Sequence, residues 1–269
     1  MFFETINFVF LGMSFMQRLF CVLLLIFGSC SQETDSSLQN TENTQNNNHQ
    51  ENQDEAESIL FIGNSLSFFN NGVDFHINNF YDLGEVNNGT YHLELSALPG
   101  YTLQNHLNHL ATQNQINSRS WQKVILQENG IEVIEHPEAS FESFREFANL
   151  FQSKPTQVYL FMTWAYEGHP EMTQQLYDFY KSVADETGFV LIPVGLGWRD
   201  LTLSFPEINL LNQDGVHPSL QGTFFSSAMI FEVISGQLSS QNPYNANLTE
   251  AQATTLKNQA SEALVNYYY

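Results

Sequence analysis

Two short stretches carry residue types that can do covalent chemistry together. The first is Gly63-Asn64-Ser65, which closes the apolar run Ile59-Leu60-Phe61-Ile62. The second is Asp214-Gly215-Val216-His217-Pro218-Ser219, toward the other end of the chain. A serine hydroxyl is a poor nucleophile until a base stands within hydrogen-bond reach and a third group orients that base. An Asp and a His three residues apart on one loop can pair carboxylate to ring N–H. That pairing sets the tautomer and leaves the other ring nitrogen free to take a proton. Pro218 suits the first position of a helix and holds His217 extended before it. Each stretch alone has a plain structural reading, because Gly-Asn is a common turn and serine a common helix cap. Their conjunction in one chain, in the order Ser65, Asp214, His217, favours the chemical reading.

An attacked carbonyl also needs donors preorganised for its developing negative charge. Three groups stand at expected strand ends: the backbone N–H of Ser65, the backbone N–H of Gly100 in Pro99-Gly100-Tyr101, and the side-chain amide of Asn129. Gln127 is the fallback for Asn129. Trp164, Tyr166 and Trp198 stand at or just past strand ends and are candidates for lining a sugar or acyl pocket, with packing the alternative for each. Glu128 is a candidate for binding substrate or holding Trp164, and a structural role is favoured over both. His106 and His109 are three apart on an expected helix, a spacing metal sites use. They lack a clear carboxylate or cysteine partner, so solvated helix-face positions are expected, and no metal or organic cofactor.

These residues need a scaffold that brings them to one edge. Ser58–Ile62, Tyr91–Ala97, Lys123–Leu126, Gln157–Trp164 and Phe189–Val194 read as strands. Helical spacing is expected over Phe68–Leu83, Leu103–Leu110, Phe141–Phe151, Glu171–Glu186 and Leu220–Ile234. Thr249-Glu250-Ala251-Gln252 is a capping-box pattern opening a last helix. Alternation of this kind predicts an α/β fold: a flavodoxin-like three-layer α/β/α sandwich with a central parallel sheet in the order 2-1-3-4-5. The first strand then lies inside the sheet with Ser65 at the switch point.

The same residues carry a family resemblance. Gly63-Asn64-Ser65 resembles the Gly-Asp-Ser block of the SGNH (GDSL-like) hydrolases, and Gly100 resembles that family's second-block glycine. Asn129 is in register with the asparagine of the family's Gly-x-Asn-Asp block, and Asp214-Gly-Val-His217 resembles its Asp-x-x-His block. The chain departs from the pattern at Asn64, at Gln127 where the family has Gly, and at Gly130 where it has Asp. Gly-Asn-Ser combined with Leu-Gln-Glu resembles a bacterial lipoprotein subgroup of that family. The resemblance implies a serine esterase or acyl hydrolase using Ser65, His217 and Asp214, acting on a small ester or an O-acylated (acetylated) glycan. A non-catalytic glycan-binding lipoprotein of the same fold is the alternative.

The remaining residues bear on compartment. The chain has 269 residues, with 8 basic against 29 acidic and a net charge of −21. Nucleic-acid binding needs clustered Lys and Arg, so that class is set aside. Residues 1–30 read as a signal peptide: Arg18 precedes the apolar run Leu19–Phe27, and Gly28-Ser29 lead into Cys30. The small residues before Cys30 resemble a bacterial lipobox, which implies lipidation at Cys30 and a membrane anchor. Residues 31–57 are too poor in apolar side chains to offset ordering entropy and read as a polar tether. Residues 58–269 are then one hydrolase-type domain on an exported, envelope-anchored protein, at the outer membrane or cell surface. Cys21 falls within the signal, which leaves Cys30 alone and lipidation as its explanation. Cys30→Ser is expected to abolish labelling by a fatty-acid probe and to move the protein out of the membrane fraction. Unchanged labelling would remove the anchor from this reading.

Overall fold

The computed structural model describes residues 57–84 and 91–268. The expected signal, Cys30 and most of the tether lie outside the described residues.

Five strands form one parallel sheet: β1 (Glu57–Gly63), β2 (Tyr91–Ala97), β3 (Lys123–Leu126), β4 (Gln157–Phe161) and β5 (Val190–Ile192). Their order is β2-β1-β3-β4-β5, as expected. The register sets Ile59 beside Leu93 on one side and Lys123 on the other. It then runs from Leu126 to Leu160 and from Phe161 to Ile192.

Side chains alternate across a strand, so an unbroken apolar strand must be covered on both faces. Ile59 and Phe61 enter one apolar layer with Ile77 and Phe80 of α2 (Val73–Leu83), Phe224 and Phe231 of α9 (Leu220–Ser235), and Leu256 and Ala260 of α10 (Glu250–Tyr267). Leu60 and Ile62 enter the other layer. There they join Leu103 of α3 (Leu103–Leu107), Phe144 and Phe147 of α6 (Pro137–Phe151), and Leu176 and Tyr180 of α7 (Met172–Thr187). The three-layer sandwich follows from that division.

Two elements differ from the helices expected of the spacing alone. Phe68–Leu83 is not one helix. A short α1 (Ser65–Phe68) is followed by a 3-10 turn at Phe69–Asn71 and only then by α2. Asn70, Asn71 and Gly72 have φ of 53°, 73° and 96°, a left-handed region that Asn and Gly enter at low cost. The stretch at 103–110 is likewise two helices, α3 and α4 (Leu110–Asn117). Thr102 and Asn105 form a capping box on α3, while Asn108 bonds back to the Gln104 carbonyl and ends it. Leu110 is consequently exposed.

The strand expected over Phe189–Val194 stops at Ile192, and a helix that was not expected, α8 (Val194–Ser204), follows and contains Gly195 and Gly197. Both glycines serve close approach. A Cβ on Gly195 would stand 2.1 Å from the Thr163 carbonyl oxygen, and one on Gly197 2.7 Å from the Met229 sulfur. The short α5 (Gly130–Glu135) is a further helix without an apolar stripe long enough to read.

His106 also differs from expectation. It is fully buried, with Nε2 2.7 Å from the Gly63 carbonyl oxygen and Nδ1 2.9 Å from Thr112 Oγ1. His109 is half-buried and lies 3.2 Å from the same hydroxyl. The rings tie α3 and α4 to the end of β1 rather than facing solvent.

A second buried imidazole, His76 on α2, donates from Nε2 to the Asn70 carbonyl at 2.9 Å and accepts at Nδ1 from the Tyr244 hydroxyl at 2.8 Å. Burial lowers its pKa below the ordinary 6.5. The folded state therefore favours the neutral ring, and the unfolded chain binds the proton more readily. Stability from this site is full above about pH 6.5 and is lost as the pH falls below it. The urea-unfolding free-energy gap between wild type and His76→Gln is thus expected to be widest at pH 7.5 and to narrow by pH 5. A gap independent of pH would mean that the ring is not held neutral.

Candidate active site

Ser65 opens α1 directly beyond β1. Asn64 is its N-cap: its side-chain oxygen accepts from the Leu66 N–H at 3.1 Å. Its Nδ2 donates to the Tyr101 carbonyl at 3.0 Å, and its own N–H donates to Gln127 Oε1 at 2.9 Å. An ionised aspartate could cap the helix but could not donate to Tyr101. The asparagine thus adds a tie from the serine loop to the loop after β2. Gly63 is required by crowding, since a Cβ there would lie 2.6 Å from Gln127 Oε1 and 2.7 Å from Ser67 Oγ.

His217 arrives on the loop before α9. Asp214 Oδ1 accepts from the backbone N–H groups of Val216 and His217, each at 2.9 Å, and Oδ2 lies 2.7 Å from His217 Nδ1. Those two backbone bonds, with the imidazole bond, lower the Asp214 pKa to about 2 although the side chain is half exposed. The carboxylate stays ionised, so Nδ1 carries the proton and Nε2 is the free lone pair. His217 Nε2 stands 2.8 Å from Ser65 Oγ. The structure therefore joins Ser65, His217 and Asp214 in one hydrogen-bonded chain. Pro218 is not the first residue of α9: Ser219 is the N-cap, its Oγ accepting from Gly222 N–H.

Several contacts that sequence reasoning missed hold the imidazole. The Phe69 ring stacks on His217 with centroids 4.0 Å apart and planes 13° from parallel. Asn70, in the left-handed turn after the serine helix, donates from Nδ2 to the Pro218 carbonyl at 2.9 Å and to Thr223 Oγ1 at 2.8 Å. The signal in the sequence is Asn70-Asn71-Gly72, three residues tolerant of positive φ where a helix would otherwise continue.

Of the expected pocket residues, Trp164 is a loop anchor instead. It is buried, stacks on Trp198 at 3.9 Å with planes 4° apart, and donates from Nε1 to the Val216 carbonyl at 3.1 Å. Trp198 donates to Ser226 Oγ at 2.9 Å and is buried beneath α9. Glu128 is also fully buried, with its carboxylate turned to backbone N–H groups, and does not line a pocket. Tyr166 stays half-buried, its hydroxyl 3.3 Å from where a Gly130 Cβ would stand.

The three groups expected to serve as anion donors lie on loops tied to one another. The N–H groups of Ser65 and Gly100 have no backbone acceptor among the described residues. Asn129 caps α5 through its side-chain oxygen, at 3.0 Å from Ile131 N–H, and its Nδ2 makes only a long 3.4 Å bond to the Gly100 carbonyl. Gln127 is spent elsewhere. Its oxygen accepts from Asn64 N–H and from Ser67 Oγ at 2.8 Å, and its nitrogen donates to the Glu128 carbonyl at 2.6 Å. Gln127 is buried, whereas Asn129 is half-buried and is the more accessible of the two amides.

The sheet order and the helices on both its faces are those of the SGNH-type α/β hydrolase fold. A candidate SGNH hydrolase from Slackia heliotrinireducens superposes with a TM-score of 0.59 at 22% identity, covering 67% of this chain and 100% of that one. A DUF4886 family protein from Bacteroides uniformis gives 0.60 at 16%, over 79% of this chain and 96% of that one. The acetylxylan esterase Axe2 from Geobacillus stearothermophilus gives 0.52 at 14%, over 67% and 94%. No protein-family model and no curated protein sequence matches the chain.

Trp164→Phe keeps an aromatic face against Trp198 but leaves the Val216 carbonyl without its donor. It is expected to lower unfolding free energy in urea by about 1 kcal/mol, and Trp164→Ala, which also opens a cavity, by about 3–5 kcal/mol. No loss in Trp164→Phe would show that the indole bond does not hold the loop.

Proposed function

We propose that the protein is a serine esterase or acyl hydrolase of the SGNH type. The observation that carries this reading is the pair of short bonds from Ser65 Oγ to His217 Nε2 and from His217 Nδ1 to Asp214. Its fold likeness to SGNH hydrolases supports the same reaction class. Ser65 Oγ attacks the ester carbonyl as His217 Nε2 takes its proton. Asp214 stabilises the imidazolium without accepting that proton. The carbonyl electron pair moves onto oxygen, where the N–H groups of Ser65 and Gly100 and the Asn129 amide receive it. Collapse expels the alcohol, which takes the proton back from His217. Water, deprotonated by the same imidazole, then releases the acid and restores Ser65.

The substrate we propose is an O-acyl, in particular O-acetyl, group on a carbohydrate met at the cell envelope through the Cys30 anchor. The half-exposed Asp214 and the exposed Gly100 favour a shallow site open to a large alcohol partner carrying a small acyl group. The likeness to an acetylxylan esterase supports the same choice.

Turnover of p-nitrophenyl acetate is expected from the wild type. Ser65→Ala should reduce it by a thousandfold or more, on the order of other triad nucleophile losses, and Asp214→Asn by about ten-thousandfold through the wrong imidazole tautomer. Equal, slow hydrolysis by wild type and Ser65→Ala would overturn the enzymatic reading. Acetate release from a panel of acetylated polysaccharides then tests the substrate class.

A further inference from the structure

The end of β3 carries two consecutive buried polar side chains, Gln127 and Glu128, that no step of the reaction uses. Gln127 reaches back to the serine loop through Asn64 and Ser67. Glu128 turns the other way. Both of its carboxylate oxygens lie 3.1 Å from the Leu103 N–H, and Oε1 also accepts from the Asn129 N–H at 2.6 Å. Its own N–H donates to the hydroxyl of the fully buried Tyr180 at 3.2 Å.

Leu103 is the first residue of α3 and lies three residues beyond Gly100, while Asn129 directly follows Glu128. One carboxyl group therefore grips the end of the loop that carries Gly100 and the start of the loop that carries Asn129. On the ester-hydrolase reading of the site, we infer that Glu128 is a positioning residue: its buried carboxyl group sets where the Gly100 N–H and the Asn129 amide stand relative to Ser65.

The physical case is the cost of the arrangement. A carboxyl group with no exposed surface is expensive to bury, and two backbone donors converging on it offset that cost. An apolar side chain at 128 would leave the Leu103 and Asn129 N–H groups buried and unpaired. Burial also raises the Glu128 pKa, to about 8, against the lowering effect of those two bonds. A group held at such cost, one residue before a proposed oxyanion donor, fits a role in geometry better than one in bulk packing. Displacing reacting groups by about 1 Å can cost on the order of a hundredfold in rate.

The test is steady-state hydrolysis of p-nitrophenyl acetate by wild type, Ser65→Ala, Glu128→Gln and Glu128→Asp, with thermal unfolding recorded for each. Glu128→Gln keeps the shape but offers one acceptor oxygen in place of two; Glu128→Asp keeps the carboxyl group on a shorter arm. Each is expected to lower kcat by about ten- to a hundredfold while KM stays within about threefold, because the anion donors matter more in the transition state than in the ground state. If one variant does not fold, the other decides the question. Wild-type kcat in a folded Glu128 variant overturns the assignment and leaves the esterase reading intact. A loss confined to KM overturns it as well. Absence of Ser65-dependent turnover in the wild type overturns the esterase reading and this inference with it.

Discussion

Ser65 and His217 stand 152 residues apart in the chain and 2.8 Å apart in space. The rest of the domain can be understood as the means of keeping that distance. The sheet places β1 between β2 and β3, so that the serine loop emerges beside the loops after both neighbours. The histidine loop comes from much later in the chain and is pinned from several directions. Asn70 binds the Pro218 carbonyl, Trp164 binds the Val216 carbonyl, and Phe69 lies flat on the imidazole. Asn70 and Phe69 belong to the turn that follows the serine helix. The serine segment thus carries its own restraint on the His217 imidazole and its loop.

Buried polar groups serve as ties between elements rather than as parts of the reacting set. His106 joins α3 and α4 to the Gly63 carbonyl, His76 joins the left-handed turn to Tyr244, and Gln127 and Glu128 join three loops to the end of β3. Each would be costly if left unpaired, and each finds its partners on other segments rather than in a regular ladder. Such a group specifies one arrangement of a loop, because alternatives strand a donor or an acceptor without water. Leucine and phenylalanine, which fill both faces of the sheet, could not do this; apolar contact tolerates sliding where a hydrogen bond does not.

Glycine admits close approach at three places in the fold. Gly195 and Gly197 lie inside α8, where they let the helix approach the loop after β4 and the face of α9. Gly63 likewise admits the Gln127 amide against the serine loop. A glycine admits both a turn and a close approach, and the residue type alone does not separate them. The same ambiguity applies to tryptophan past a strand end. Trp164 had the makings of a pocket wall, and it is a stacked, hydrogen-bonded anchor under the histidine loop.

Strand positions, sheet order and the three residues of the Ser65–His217–Asp214 chain were legible in the sequence because each rests on local information. An apolar run of four ends in a turn, alternating strands and helices allow few topologies, and Asp and His three apart on one loop pair without outside help. The kink at Asn70, the burial of Glu128 and His106, and the commitment of Gln127 to the serine loop were decided by tertiary structure. Those features depend on which distant donor or acceptor faces a polar side chain once the layers close. A sequence records the side chain, and only the packed fold supplies its partner.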